Sequence, residues 1–357
     1  MTAYRVGIIG TGSFANAHAE ALKSLGDRVK IISAADTDQE RGLAFCQTHH
    51  IPTYYPNAAV LLQESQPDIV HICTPPNTHA PIVHACLGAG AHVICEKPLC
   101  GSLSTLDELQ DLETMSRHFV STVFQWRFGS AAQRLKQMIE SGALGDLRVA
   151  TCHTLWFRGE DYYAVPWRAS WDQSLGGTTI GHGIHLIDLM LWLSPKWAEV
   201  YARLATFDLP IEVENLSLAL VEFENGALGS IINSAVSTRQ ETYLRLDFQK
   251  ATVEVRGLYS YNNSNWTFTA PDESLVTLWN QKADVPNSLA ALINATLDKL
   301  DQGLRPPTSG SESRRIIEFL TALYKSAFTR QTVKRHSITN TDPFYQSMRG
   351  FDDNSPT

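Results

Sequence analysis

A glycine-rich turn near the N-terminus constrains the fold most strongly. The apolar run Val6–Ile9 is followed by Gly10-Thr11-Gly12-Ser13-Phe14-Ala15, which has G-x-G-x-x-A spacing. The first glycine of this pattern permits a tight turn, the second lets the backbone approach a pyrophosphate, and the small last residue lets a helix pack closely on a strand. Because the pattern follows a predicted strand and opens a predicted helix, it indicates a dinucleotide-binding unit.

The turn also predicts how the cofactor phosphates are held. Ser13 can cap the helix that follows, and the free N–H groups of that helix would face the phosphates. We therefore expect the cofactor to contact the following residues of the turn: Gly10, Gly12, Ser13, Phe14 and Ala15.

Asp36 is the expected partner of the adenosine ribose. It closes a second predicted strand, Val29–Ala35, where an acidic residue accepts hydrogen bonds from ribose hydroxyls. A carboxylate at this place repels a 2′-phosphate, which favours NAD, with NADP as the alternative. Asp36 can instead cap the next helix, a role that Thr37 and Asp38 can also fill.

Strands and helices continue to alternate through the first 124 residues. Buried strands are predicted at Asp68–Thr74, Ala91–Cys95 and Phe119–Phe124, with helical stretches between them. This alternation is typical of a doubly wound parallel sheet. We therefore predict a Rossmann domain at 1–124, in the α/β class.

The remaining residues, 125–357, have a different pattern. Asn225-Gly226 separates two strand-like runs, Ser217–Phe223 and Ala227–Val236, which is a strong hairpin pattern. Long hairpins predict an α+β domain with a large open, mostly antiparallel sheet. One face of such a sheet needs covering, so we expect a homodimer or homotetramer formed through it.

Composition excludes several classes of protein. The chain has 357 residues, a net charge of −8 and no basic stripe, which argues against a nucleic-acid partner. No apolar run reaches the roughly 18 residues of a membrane span, and no signal-peptide pattern is evident. The six cysteines form no C-x-x-C pair, which favours reduced thiols and a cytoplasmic location.

Lys97 is the first candidate for chemistry. It precedes Pro98 at the end of a predicted strand, and Pro98 stops sheet pairing there. Ligands bind at the carboxyl edge of open α/β sheets. A surface lysine in a loop is the simpler interpretation, but the nucleotide-binding turn upstream and the histidine-rich helix downstream favour a functional one.

A helix in the second domain carries His182, His185 and Asp188 at three-residue steps, so these side chains can share one face. Three interpretations compete: polar residues at a domain seam, metal ligands, or an acid/base beside a substrate. The metal interpretation lacks a partner such as E-x-x-H elsewhere, and we expect no metal. The seam best explains Asp188, and acid/base chemistry is preferred for His185.

An aromatic segment lies before this helix. It contains Tyr162, Tyr163, Trp167 and Arg168, which can line a polyol pocket because aromatic rings pack against the apolar faces of sugars. The same aromatic residues can instead be domain-interface core.

Taken together, these stretches resemble the Gfo/Idh/MocA oxidoreductases. The resemblance rests on G-x-G-x-x-A, Thr74-Pro75-Pro76-Asn77-Thr78-His79, Glu96-Lys97-Pro98, Gln125-Trp126-Arg127-Phe128, and Gly176-Gly177 followed by His185-x-x-Asp188. It implies an NAD(P)-dependent dehydrogenase acting on a sugar, sugar derivative or cyclitol.

The resemblance also implies roles for individual residues. Lys97 would be the catalytic lysine and His185 the histidine beside the substrate hydroxyl, with both reaching one cleft. Further cofactor contacts are expected from Thr74, Pro75, Asn77, His79, Glu96, Lys97 and Gln125. Substrate contacts are expected from Lys97, Arg127, Tyr163, Trp167, Arg168, His182 and His185.

One position departs from the family pattern. Many members carry aspartate four residues before the catalytic histidine, and here that residue is Gly181. Either Lys97 takes a larger share of the chemistry or His182 substitutes. Two other functions remain open: an NAD-dependent glycosidase using transient oxidation, and a non-catalytic NAD(P)-sensing regulator.

Overall fold

A computed structural model describes residues 3–280 and 284–350. The chain divides into two compact units. The first contains Met1–Val123 and Leu289–Arg314, and the second contains Phe124–Ser288 and Arg315–Thr357. The predicted division into 1–124 and 125–357 differs in one respect, because residues 289–314 return to the first unit. No helix among the described residues has the length and apolarity needed to cross a membrane.

The first unit is built on a six-stranded sheet with the order β3-β2-β1-β4-β5-β6. All neighbouring strands pair in parallel. Their bounds are β1 Tyr4–Ile9, β2 Val29–Ala35, β3 Thr53–Tyr55, β4 Ile69–Ile72, β5 His92–Cys95 and β6 Val120–Thr122. The strand order reverses at β1, where β2 and β4 flank it, and in such sheets ligands bind outside the carboxyl ends of strands at this point.

Six helices belong to the first unit. Five connect its strands, and the sixth comes from the returning segment. They are α1 Ser13–Ser24, α2 Gln39–His49, α3 Ala58–Ser65, α4 His79–Gly88, α5 Leu103–Ser116 and α12 Leu289–Leu300. Helix α12 packs on α1. Arg28 also donates to Asn294 at 2.6 Å and forms ion pairs with Asp298 and Asp301, which explains why the returning segment joins this unit.

The second unit contains an eight-stranded sheet with the order β13-β12-β11-β7-β10-β9-β8-β14. Among the described strands of this sheet, only β7 and β10 pair in parallel, so the predicted mostly antiparallel sheet is confirmed. The Asn-Gly hairpin is also confirmed and joins β9 to β10. The bounds are β7 Leu147–Phe157, β8 Trp197–Ala205, β9 Leu216–Phe223, β10 Leu228–Ser234, β11 Val236–Phe248, β12 Thr252–Gly257, β13 Trp266–Thr269 and β14 Val333–Lys334.

Helices cover one face of this sheet. The second unit contains α6 Ser130–Glu140, α7 Glu160–Tyr163, α8 Pro166–Ala169, α9 Trp171–Ser174, α10 Ile184–Leu193, α11 Glu273–Trp279, most of α13 Ser311–Thr329 and α14 Pro343–Gln346. Helix α10 is almost entirely buried and packs on β7 and β11. Phe319 of α13 packs edge-on against Trp197 of β8, with ring centroids 5.4 Å apart. Because α10 packs on β7 and β11, the sheet holds α10, which directly follows the turn Thr179–Gly183, in the core of this unit.

Candidate functional site

The glycine-rich turn adopts the predicted strand–turn–helix arrangement. Gly10 has φ +85°, and a Cβ there would lie 2.7 Å from the Thr74 side chain, so only glycine fits. Helix α1 begins at Ser13, and its N-cap is Gly12 without a side-chain hydrogen bond. The predicted Ser13 cap is therefore wrong, because Ser13 already has helical backbone geometry. As a result, no side chain of the described residues caps the first-turn N–H groups of α1.

Asp36 is buried at the end of β2 and is heavily hydrogen-bonded. Its carboxylate accepts from the Thr11 amide at 2.8 Å and from Arg41 Nη2 at 2.7 Å. Burial by itself would raise the pKa of Asp36, but the hydrogen bonds from Arg41 and Thr11 outweigh it and hold the pKa well below its usual range. Asp38, not Asp36, caps α2 by accepting from the Arg41 amide. Asp36 therefore presents a fixed negative charge beside the turn.

The loop after β4 is braced by His79. This imidazole is buried, and its two nitrogens lie 2.7 Å from the Pro98 carbonyl and 2.8 Å from the Thr74 carbonyl. His79 thus joins the loops that follow β4 and β5, and both of its nitrogens are used. Pro75 and Asn77 are exposed on the same loop.

A buried chain of hydrogen bonds lies beneath Lys97. His18 of α1 places Nε2 3.1 Å from Glu96 Oε1 and Nδ1 2.8 Å from Nδ1 of His71 on β4. Burial alone would lower the pKa of His18, but Cys73 and Glu96 raise it to about 10. Burial, and then the charge on His18, lower the pKa of His71. A charged His18 donating in both directions to Glu96 and neutral His71 satisfies these contacts, so Glu96 is held as a carboxylate.

Lys97 follows Glu96 at the carboxyl end of β5. Its backbone N–H lies 3.3 Å from Glu96 Oε2, and the peptide bond to Pro98 is cis. Burial lowers the pKa of the Lys97 ammonium, and the Glu96 carboxylate opposes that effect. Since β1, β4 and β5 are adjacent parallel strands, Gly10, Thr74 and Lys97 all follow strand ends on one edge of the sheet. This edge combines the glycine-rich turn with an amine whose pKa is lowered by burial.

The two histidines of the second unit have different surroundings. His182 lies in a π-helical turn, Thr179–Gly183, with its ring 4.9 Å from Trp156 and 5.3 Å from Tyr162. His185 lies in the first turn of α10, with its ring 5.2 Å from Trp126. We expected one shared helical face. The π-helical turn breaks the 3.6-residue period between them, and each histidine contacts its own aromatic group.

Arg127 differs most from its expected role. Its guanidinium makes a bidentate ion pair with Asp188, with Nε 2.6 Å from Oδ2, and the two side chains are 2% and 1% exposed. An arginine engaged and buried in this way is part of the core, so we leave Arg127 out of the proposed substrate contacts. The pair instead fixes α10 against the 3₁₀ turn Gln125–Phe128.

The predicted aromatic segment forms a cluster with His182. The guanidinium carbon of Arg168 lies 4.2 Å from the Tyr162 ring centre and 5.4 Å from that of Trp167. Tyr163 is largely buried and contacts Tyr162 edge-on, with centroids 5.0 Å apart. Arg158 also belongs to this cluster. Sequence reasoning assigned Arg158 no role, since nothing local relates it to His182.

The turn of the first unit fits a dinucleotide. A Cβ at Gly12 would meet no atom within 4 Å, so the space beside this backbone is open to a pyrophosphate. The Asp36 carboxylate, at the end of the neighbouring strand β2, is an acceptor of the kind that a ribose hydroxyl needs. In the second unit, Oε1 of Gln125 is buried and has no donor among the described residues, so it is available to a ligand N–H group. Within residues 3–280 and 284–350, no group of histidine, cysteine and acidic side chains could hold a metal ion.

Family models match both parts of the chain. Residues 4–124 match the oxidoreductase family with an NAD-binding Rossmann fold, and residues 132–257 match the Gfo/Idh/MocA C-terminal domain. The chain belongs to the Gfo/Idh/MocA family. It is therefore an NAD-binding oxidoreductase, and the resemblance inferred from its sequence is confirmed.

Similar family members are known from several organisms. Myo-inositol 2-dehydrogenase of Thermotoga maritima is 27% identical over 237 residues, which cover 64% of this chain and 68% of that protein. D-glucoside 3-dehydrogenase of Escherichia coli is 25% identical over 356 residues, covering 92% and 97%. The crystal structure of the WlbA dehydrogenase from Bordetella pertussis, in complex with NADH and UDP-GlcNAcA, is 26% identical with a TM-score of 0.82, covering 93% of this chain and 98% of that one.

The position that departs from the family pattern has room for a side chain. A Cβ at Gly181 would meet only the Tyr162 hydroxyl, 4.0 Å away. Steric crowding therefore does not explain the absence of an acidic residue there. Instead, the residue that follows Gly181 is His182, which packs among Trp156 and Tyr162.

Proposed function

We propose that this Gfo/Idh/MocA enzyme uses NAD to oxidise a secondary hydroxyl of a sugar, sugar derivative or cyclitol, or to reduce the corresponding carbonyl. The observation that carries the proposal is Lys97, an amine of lowered pKa on the same sheet edge as the glycine-rich turn. The relatives named for myo-inositol and D-glucosides support this substrate class.

In this proposal Lys97 is the principal acid/base. Its amine accepts a hydrogen bond from the reacting hydroxyl and takes up the proton as the carbonyl forms. The Glu96 carboxylate, held by His18, keeps a negative charge beside the lysine and stabilises the ammonium that results. NAD, when bound, supplies the hydride acceptor. His185 orients the same hydroxyl or exchanges its proton, and His182 contacts another part of the substrate.

The proposed NAD contacts lie in the first unit, apart from Gln125 of the second. The first-turn N–H groups of α1 bind the pyrophosphate, and Asp36 accepts from the adenosine ribose. The exposed loop residues Pro75 and Asn77 and the open acceptor of Gln125 are the proposed contacts for the rest of the cofactor. His79 supports them by fixing the loop. NAD is preferred over NADP because the Asp36 carboxylate repels a 2′-phosphate.

Substitution of Lys97 tests the proposal. Lys97→Met removes the charge and keeps most of the stem volume, so NAD binding should stay nearly intact while kcat falls by about 10²–10⁴-fold. Lys30→Met is the matched control because Lys30 is exposed on β2 of the same unit. Turnover and cofactor affinity are measured separately, by NADH absorbance and by titration. Unchanged turnover in Lys97→Met would contradict the assignment.

The histidines are tested as a pair. His185→Asn should reduce kcat, and the loss is smaller if His182 can substitute. The variant carrying both His182→Asn and His185→Asn would then lose more than the two single effects combined. A crystal structure with NAD and substrate bound checks whether one substrate molecule contacts both Lys97 and His185.

Two other functions give different results in the same assay. A glycosidase using transient oxidation would release sugar without a net change in NADH absorbance. A sensing regulator would bind NAD without turnover, but it would need neither Lys97 nor His185, and the chain carries both.

We also propose a homodimer or homotetramer formed through the second-unit sheet. Three adjacent strands present large apolar side chains to solvent, with Val149 46%, Leu220 64% and Leu228 60% exposed. Val149 and Leu228 are direct cross-strand partners, so the apolar surface is continuous across β7 and β10. A second copy presenting the same surface would bury it.

A further inference from the structure

We propose that the substrate carries an oxyanion, a carboxylate or a phosphate, and that Arg168, with Arg158, binds it. This inference rests on the proposed function, because it names the class of sugar that the site takes. It starts from two guanidinium groups on one aromatic ring. Arg168 and Arg158 place their guanidinium carbons 4.2 Å and 5.5 Å from the ring centre of Tyr162.

Neither arginine has a negative partner in the part of the chain that the structure describes. Arg158 donates to neutral acceptors, namely the Phe157 carbonyl at 2.6 Å, Gln240 Oε1 at 3.2 Å and the Tyr259 hydroxyl at 2.9 Å. Arg168 donates from Nη1 to the Tyr162 carbonyl at 3.2 Å, and its Nε is buried without an acceptor.

Three other arginines of low exposure carry an anionic partner. Arg28 pairs with two aspartates, Arg335 pairs with Glu224, and Arg127 pairs with Asp188. A guanidinium removed from water without an anion is costly, so burial of this kind normally comes with a partner. The two charges around Tyr162 are therefore an imbalance that an anionic ligand would correct.

The chemistry of the guanidinium specifies the ligand. Arg168 keeps most of its five N–H donors in a planar fork, which matches the paired oxygens of a carboxylate or phosphate. Stacking on Tyr162 and Trp167 fixes the plane of that fork. The exposed acids Glu160 and Asp161 precede Tyr162 in sequence, but neither forms an ion pair with Arg158 or Arg168.

The cluster also lies beside a proposed substrate contact. The Tyr162 and Trp156 rings lie 5.3 Å and 4.9 Å from that of His182. Arg158 stacks on Trp156 at 4.8 Å. An oxyanion held here would belong to the same small molecule that His182 contacts. The substrate is thus a sugar or cyclitol derivative with a hydroxyl to oxidise and an acidic group elsewhere.

The test compares neutral and acidic members of matched pairs. NADH formation is measured for D-glucose against D-glucuronate and D-glucose 6-phosphate, and for D-galactose against D-galacturonate. The wild-type enzyme should favour an acidic member by roughly 10- to 100-fold in kcat/KM, as charge-assisted hydrogen bonds provide. The uronates and the phosphate distinguish which oxyanion is bound. Equal or better use of the neutral sugars would overturn the inference while leaving the dehydrogenase function standing.

Variants then assign the preference to Arg168. Arg168→Met should remove the preference by raising KM more for the acidic sugar than for its neutral counterpart. Arg168→Lys keeps the charge but loses the planar fork. Its preference for the acidic sugar should therefore lie between those of the wild type and Arg168→Met. Arg239→Met is the control because Arg239 is 84% exposed in the same unit. Tryptophan fluorescence checks that Arg168→Met is natively folded. If the folded variant keeps the wild-type preference for the acidic sugar, the assignment is overturned.

A binding titration keeps the inference separate from turnover. D-glucuronate and D-glucose are titrated into the NAD-saturated enzyme, using fluorescence of Trp156 and Trp167 beside the arginines. Tighter binding of glucuronate by the wild type, lost in Arg168→Met, supports the inference even if none of the test sugars is oxidised. A failure to oxidise any of them would count against the proposed function alone. Equal binding of the two sugars overturns the inference.

Discussion

Removing Asp188 should destabilise the second unit strongly. The Asp188→Leu substitution leaves the Arg127 guanidinium 2% exposed and without the carboxylate that it contacts through two nitrogens. Breaking a buried ion pair in this way costs about 3–5 kcal/mol, because an uncompensated charge stays in the core. The loss matters for function, since Asp188 and His185 lie on the same helix, α10.

Replacing both charges should restore most of that stability. The variant with Arg127→Met and Asp188→Leu removes both charges of this pair. Exchanging a buried pair for apolar residues is often neutral or stabilising by about 1–4 kcal/mol. The double substitution should therefore cost far less than the two single substitutions added together. This non-additivity is the specific signature of a buried pair.

Tryptophan fluorescence during urea unfolding measures these changes. All eight tryptophans lie between Trp126 and Trp279, within the second unit, so the signal reports that unit alone. With an m-value of roughly 2–3 kcal/mol/M, the Asp188→Leu midpoint should fall by about 1–2 M urea. Asp146→Leu is the control. Its partner Arg148 is 3.8 Å away, both side chains are more than half exposed, and such pairs contribute about 0–1 kcal/mol.

Two results would refute this reasoning. One is a midpoint in Asp188→Leu that falls no further than in the Asp146→Leu control. The other is a double variant as unstable as the sum of its single substitutions, which would mean that Arg127 and Asp188 contribute through separate contacts.

Three further outcomes are expected. Asp36→Ala should relax the preference for NAD toward NADP, because it removes the repelling carboxylate and releases Arg41 to contact a 2′-phosphate. The affinities for both cofactors measure this change. A wild-type enzyme that already binds NADP more tightly than NAD would contradict the prediction. For alcohol oxidation, kcat/KM should rise with pH as Lys97 loses its proton. The rise should occur below the pKa of a free lysine, because burial lowers the pKa of Lys97. In Lys97→Met this rise in the pH profile should be absent. Leu220→Glu should weaken the oligomer in sedimentation at micromolar concentration; a wild-type monomer of 39.6 kDa would show that no such oligomer forms.

Much of the fold follows from local patterns. Strand β2 has the predicted bounds Val29–Ala35, and the predicted run Ser217–Phe223 lies in β9, Leu216–Phe223. Both have the hydrophobic periodicity of their element, and the β9–β10 hairpin has an Asn-Gly turn. Periodicity and turn chemistry are properties of neighbouring residues, so they can be read without knowing what the element packs against. The glycine-rich turn was predictable for the same reason, since its backbone requirements are local.

Partners distant in sequence were decided only by the tertiary structure. Arg127 and Asp188 are 61 residues apart, and nothing near Arg127 shows that its charge would be neutralised inside the core and not by a substrate. The return of α12 to the first unit likewise depends on Arg28, whose acceptor Asn294 is 266 residues away.

The site shows the same division. The sequence alone determined which side chains of this protein can move protons, because Lys97, His182 and His185 carry that chemistry wherever they lie. Only the tertiary structure placed His18 against Glu96 and gathered Arg158, Tyr162 and Arg168 around His182. The pKa of a lysine and the charge balance around an arginine depend on burial and on neighbouring groups. Burial and neighbouring groups are set by packing between elements, and not by the order of residues along the chain.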